Sequence, residues 1–198
     1  MVAKQRLAFI DIDTQFDFMD PQGTLYVPGA TEIVPNLEKL IDYAKRHKLP
    51  IVASVDAHAP DDPEFKQFPP HCVSGTPGQH KIAATTCQPS LVIANSAQSF
   101  NLPEAGNLVL EKTIFSIFGN ENAEKVFRDI DAEKYLVFGV ATDYCVKAAA
   151  LGLLARGYRV AVVEDAISGV TAEGSQAAIA EMKKAGAEIV RTADVISW

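Results

Sequence analysis

The chain is poor in cysteine, with three in 198 residues, and it carries a single tryptophan. Cys72, Cys87 and Cys145 stand far apart and in odd number, which argues against a disulfide framework and for free thiols in a reducing compartment. No run of lysine or arginine is present, and the formal net charge of -7 comes from acids scattered along the chain. Such a surface does not cover phosphates or acidic lipid, so neither nucleic acid nor membrane is an expected partner. The first apolar run, residues 7–10, is broken at once by Asp11 and Asp13, too short and too acidic for a membrane span or an export signal. A cytoplasmic location is expected. What is present is ordinary apolar (48%) and charged (22%) content, which predicts one domain over residues 1–198 with a proper core.

Short apolar runs at residues 7–10, 51–55, 108–110, 136–140, 160–163 and 188–190 read as six buried strands. Between them, residues 31–46, 122–129, 143–156 and 171–185 show helical periodicity, and Gly157 and Gly186 follow the last two as stops. Strands apolar on both faces and alternating with helices predict a parallel sheet covered on both sides, a three-layer α/β/α fold. Residues 57–107 break the rhythm, being rich in Pro, His, Ser, Thr and Gln, and a segment of that length without regular pattern is usually functional.

Open parallel sheets bind ligands beyond the carboxyl ends of their strands. Asp13, Asp56 with His58, Lys112 and Cys145 each follow or close a predicted strand. A carboxylate, a lysine and a cysteine converging there are the parts of an activated thiol, with the acid taking the proton and the cation favouring thiolate. Taken alone, Cys145 also fits a small core residue, Asp13 a strand-closing acid and Lys112 a solvated charge. The joint placement favours chemistry. In the first turn of a helix, Cys145 is expected to have a lowered pKa and free backbone N–H groups beside it for an oxyanion.

Asp56, His58, Glu64 and His71 gather imidazole and carboxylate donors just after the second strand. Alternating residues leaving a strand can share a side, and the loop can return His71 to them. Donors without thiolate suit one divalent Zn, Fe or Mn ion better than Ca or Mg. Cys72 and Cys87 lack partners at metal spacing and are read as buried or incidental, and His80, after the Gly75-Thr76-Pro77-Gly78 turn, as an ordinary loop residue. Phe18, Phe68 and Phe115 each lie within five positions of a chemical residue and could wall a flat ring.

The chain resembles the isochorismatase-like cysteine hydrolases over nearly its whole length. Their D-x-Q-x-D-F opening is matched by Asp13-Thr14-Gln15-Phe16-Asp17-Phe18, their lysine segment by Glu111-Lys112-Thr113, and their cysteine segment by Gly139 to Val146. The nicotinamidase (pyrazinamidase) branch is marked by D-x-H followed by P-P-H-C-x-x-G-T-x-G, matched by Asp56-Ala57-His58 and by Pro69 to Gly78. The resemblance implies a triad of Asp13, Lys112 and Cys145, metal ligation by Asp56, His58 and His71 with Glu64 fourth, and an oxyanion hole from the N–H groups of Ala141 and Cys145. It further implies a cis peptide before Ala141, a six-stranded sheet in the order 3-2-1-4-5-6, a homo-oligomer, and hydrolysis of nicotinamide to nicotinate and ammonia. Two alternatives stay open: a relative acting on another small amide or carbamoyl compound, and a catalytically silent metal- or ligand-binding domain.

Overall fold

A computed structural model describes residues 7–103 and 106–198. Residues 1–6, on which part of the expectation about an export signal rests, lie outside the described residues. In chain order the elements are β1 (Leu7–Ile12), α1 (Phe16–Met19), α2 (Ala30–His47), β2 (Ile51–Asp56), β3 (Leu91–Ile93), β4 (Asn107–Lys112), α3 (Ala123–Ile130), β5 (Lys134–Val140), α4 (Lys147–Ala155), β6 (Val160–Ser168), α5 (Ala172–Lys184), β7 (Glu188–Val190) and α6 (Thr192–Ile196). All strand pairs are parallel, in the order β3-β4-β2-β1-β5-β6-β7. The predicted three-layer α/β fold is present. The predicted strand order is kept, but the sheet has seven strands rather than six. The extra one, β3, is three residues long at the sheet edge, too short to stand out within the polar segment that contains it.

Every residue of β1, β2 and β5 is buried, as continuous apolar runs in a doubly covered parallel sheet should be. Each fully buried Ile, Leu, Val or Phe adds about 1.5–3 kcal/mol relative to exposure. The helix stops behave as read: Gly157 and Gly186 follow α4 and α5 at φ +82° and +109°, where a side chain would be strained. Among the described residues, no helix is long and apolar enough to cross a membrane.

Strand order reverses at β1, which is flanked by β2 on one side and β5 on the other. There Gly139 of β5 packs so closely on β1 that a Cβ would lie 2.1 Å from the Ile12 carbonyl oxygen. That approach brings the residues after the two strands together.

Candidate active site

Asp13 leaves β1 in the left-handed region at φ +50°, uncommon for a residue with a side chain, and is buried. Its Oδ1 accepts a hydrogen bond from Ser54 Oγ at 2.6 Å, and its Oδ2 lies 2.8 Å from Lys112 Nζ. Lys112, wholly buried at the end of β4, also donates to Asp56 Oδ1 at 2.5 Å and lies 3.8 Å from Cys145 Sγ. Cys145 follows β5 in a single π-helical turn, Thr142–Val146, that leads into α4. The Val140–Ala141 peptide is cis. The three strand ends therefore gather the residues that the sequence placed there.

Their electrostatics follow from burial around one cation. Burial raises the Asp13 carboxyl above its usual range despite Lys112. At Asp56 burial acts in the same sense, but attraction to Lys112 and contact with His58 outweigh it and the pKa falls. Burial opposes the charge on Lys112, yet Asp13 and Asp56 hold it firmly protonated. Burial pushes the Cys145 thiol well up, with Lys112 opposing and Asp13 reinforcing. The expectation of a lowered thiol pKa is thus corrected: desolvation exceeds what a helix start supplies, and the resting group is a thiol beside a carboxyl of raised basicity.

The donor cluster forms on the other side of Asp56. Ligand atoms of Asp56, His58 and His71 all lie within 4.8 Å of one another. His58 Nδ1 is engaged by Asp62 Oδ2 at 3.0 Å, and His71 Nδ1 by the Pro69 carbonyl at 2.8 Å. Each ring thus keeps Nε2 for another partner, the arrangement by which outer groups orient metal-bound imidazoles. His58 Nε2 is buried without a hydrogen-bond partner, 3.8 Å from Asp56 Oδ2 and 3.9 Å from Glu64 Oε2. Burial disfavours charge on His58, but contacts with Asp56 and Asp62 raise its pKa to about 9. The same concentration of carboxylates attracts a divalent cation, and an orphaned imidazole nitrogen among them fits one. Glu64 sits in the 3-10 turn Pro63–Lys66 and groups with His58 and Asp62.

Between thiol and donors lies a cavity of about 130 Å³, small beside the roughly 300–1,000 Å³ of drug-sized pockets. Asp13 and Cys145 line it together with Asp56, Glu64 and His71, and Phe18, Phe68 and Phe115 supply aromatic wall. Phe18 stands 5.4 Å from the His71 ring and Phe68 stands 6.4 Å from it. No lysine or arginine lines the cavity among the described residues, since Lys112 stands behind Asp13.

The isochorismatase domain matches residues 7–194. The chain belongs to the isochorismatase family. Within that family it is 31% identical over 206 residues to the nicotinamidase of Escherichia coli (94% of this chain, 95% of the relative). It is 32% identical over 197 residues to the nicotinamidase/pyrazinamidase of Mycobacterium tuberculosis (92% and 97%). A probable inactive nicotinamidase of Arabidopsis thaliana is 26% identical over 192 residues (96% and 93%). The crystal structure of the pyrazinamidase of Pyrococcus horikoshii, in complex with zinc, superposes with a TM-score of 0.78 at 31% identity, covering 94% of this chain and 99% of that one.

Several members of this isochorismatase-family site escaped sequence reasoning. Tyr144, next to Cys145, and Val170, just beyond β6, were within reach of the strand-end rule. Leu25, Tyr26 and Val27 complete a wall without any local signal. Asp62 and Phe65, against the His58 ring, become visible only once the loop is folded. Cys72 and Cys87 are buried free thiols whose pKa values burial pushes up.

Proposed function

We propose that the chain is a metal-dependent cysteine amidase that hydrolyses nicotinamide to nicotinate and ammonia through a thioester on Cys145. The carrying observation is one small cavity lined at once by the Cys145 thiol, the Asp13 carboxyl, the donors Asp56, Glu64 and His71, and the rings of Phe18, Phe68 and Phe115. A flat single-ring amide with a second donor atom matches that set of functions.

In the first half-reaction Asp13 accepts the thiol proton while Lys112, bridging Asp13 and Asp56, favours the thiolate 3.8 Å away. The thiolate adds to the carboxamide carbon, and the Ala141 and Cys145 N–H groups receive the developing oxyanion. Asp13 returns the proton to the departing nitrogen, releasing ammonia and leaving the acyl group on sulfur. In the second, Asp13 takes a proton from water as its oxygen attacks the thioester, and the thiol is restored with nicotinate free. Asp56, His58 and His71 would hold the metal ion, with Glu64 as fourth donor, and when bound it supplies Lewis acidity beside the ring.

Incubation with nicotinamide should release ammonia, and Cys145→Ala should abolish the release while leaving metal content unchanged. Full activity in that variant, or no ammonia from the unaltered protein, would overturn the proposal. Similarity to a probable inactive relative favours a silent domain, but Asp13, Lys112 and Cys145 are all retained here and assembled in contact.

A further inference from the structure

Gln15, the central residue of the D-x-Q-x-D-F opening, has no part in the chemistry above, yet it is wholly buried beside the site. Its partners explain where it belongs. β1 ends at Ile12, opposite Ser54 of β2, and the chain turns away at Asp13. Continued two residues, the ladder would reach Asp56, which β4 pairs on its other side through Lys112 but which β1 no longer meets. The Gln15 side chain fills that gap. Its Oε1 accepts the Asp56 N–H at 2.7 Å, and its Nε2 donates to the Asp56 carbonyl at 2.8 Å and to the Gln79 carbonyl at 2.9 Å. A primary amide, with donor and acceptor side by side, replaces one missing rung of sheet.

The geometry points to Gln15 as a positioning residue that sets Asp56, and through Asp56 the donor cluster and the Lys112 ion pair together. Asp56 has no freedom to spare: Oδ1 is committed to Lys112, and Oδ2 lies on the side of His58 Nε2. A tilt of the Asp56 backbone would misplace both oxygens at once. Asp17 serves the neighbouring stretch in parallel, its Oδ2 accepting the N–H of Cys72 next to His71. The turn that carries Asp13 therefore holds the two main-chain positions that present Asp56 and His71.

The inference rests on the metal site proposed above, and the test separates the two. Zinc affinity of the full chain is measured by competition with a chromophoric chelator for the unaltered protein, Gln15→Met, Gln15→Glu and the control Asn122→Ala. Asn122 is a buried amide that ties the loop at Ala94 and Ser96, away from the cavity. Gln15→Met should weaken zinc binding about 10- to 100-fold, the usual cost of losing an outer-shell partner. Gln15→Glu keeps the length but cannot donate to the two carbonyls when ionised, so it should weaken zinc binding too, and excess zinc should restore part of its ammonia release. Each variant is measured below its own melting temperature, so a less stable fold does not mimic the effect. Asn122→Ala should lower the melting temperature without changing zinc affinity. Zinc affinity in both Gln15 variants within about twofold of the unaltered protein would overturn the assignment, because an outer-shell role demands more. Failure of the unaltered protein to bind zinc or any divalent ion would instead remove the metal site itself.

Discussion

At the strand end, Asp13, Lys112 and Cys145 stand at or just beyond the ends of three strands, whereas at the loop end His58, Glu64 and His71 hang on a segment of short turns between β2 and β3. The first group inherits its spacing from the sheet, whose rungs and buried faces fix it. The second is held by polar ties: Asp62 to His58, the Pro69 carbonyl to His71, Asp17 to the Cys72 N–H. Asp13, Lys112 and Cys145 are thus placed by the sheet, and the donor cluster by hydrogen bonds within and onto the loop. Asp56 belongs to both, since it closes β2 and opens the segment.

Substitutions at the two ends should separate accordingly. The largest effect is expected from Cys145→Ala, an about ten-thousandfold or greater loss of ammonia release. Elemental analysis should find its zinc content unchanged, and loss of zinc would show that the ends are not separable. Lys112→Met should blur the comparison, because the cation serves Asp13 and Asp56 alike. Leaving those buried carboxylates without their partner should cost about 3–5 kcal/mol in urea unfolding as well as activity. Asp62→Ala acts on the loop end alone, and should weaken zinc binding about 10- to 100-fold while kcat at saturating zinc stays near that of the unaltered protein. Smallest is Phe68→Leu, which trades ring contacts worth about 0.5–1.5 kcal/mol and should raise KM several-fold with little change in kcat. A fall in kcat there would mean that Phe68 shapes the reacting geometry and not only the wall.

The same division explains what could be read from sequence. Strand ends are marked by the apolar runs before them, so Asp13, Lys112 and Cys145 could be nominated together, as could Asp56 and His58. β3 and α1 are too short for periodicity to declare, and α6 lies in a tail of mixed polarity. The direction of the Cys145 pKa depends on how deeply the π-helical turn sinks, which no local pattern records. Leu25, Tyr26 and Val27 reach the cavity because the Thr24 N–H donates to Asp17 Oδ1 and the Leu25 and Val27 N–H groups donate to the Asp17 and Phe18 carbonyls, which turns that stretch back over the site. Glycines that tighten it, such as Gly78 against the Asp17 carboxylate, were legible as turn residues but not as close neighbours.

Gly139 carries a consequence for changing what the protein accepts. With the Ile12 carbonyl occupying the space where any side chain would begin, the separation of Asp13 and Cys145 offers no room for adjustment by substitution at that point. A library aimed at bulkier amides should therefore leave the strand crossing untouched. Diversity belongs at Leu25, Tyr26 and Val170, where the enclosure can widen while the reacting groups keep their spacing.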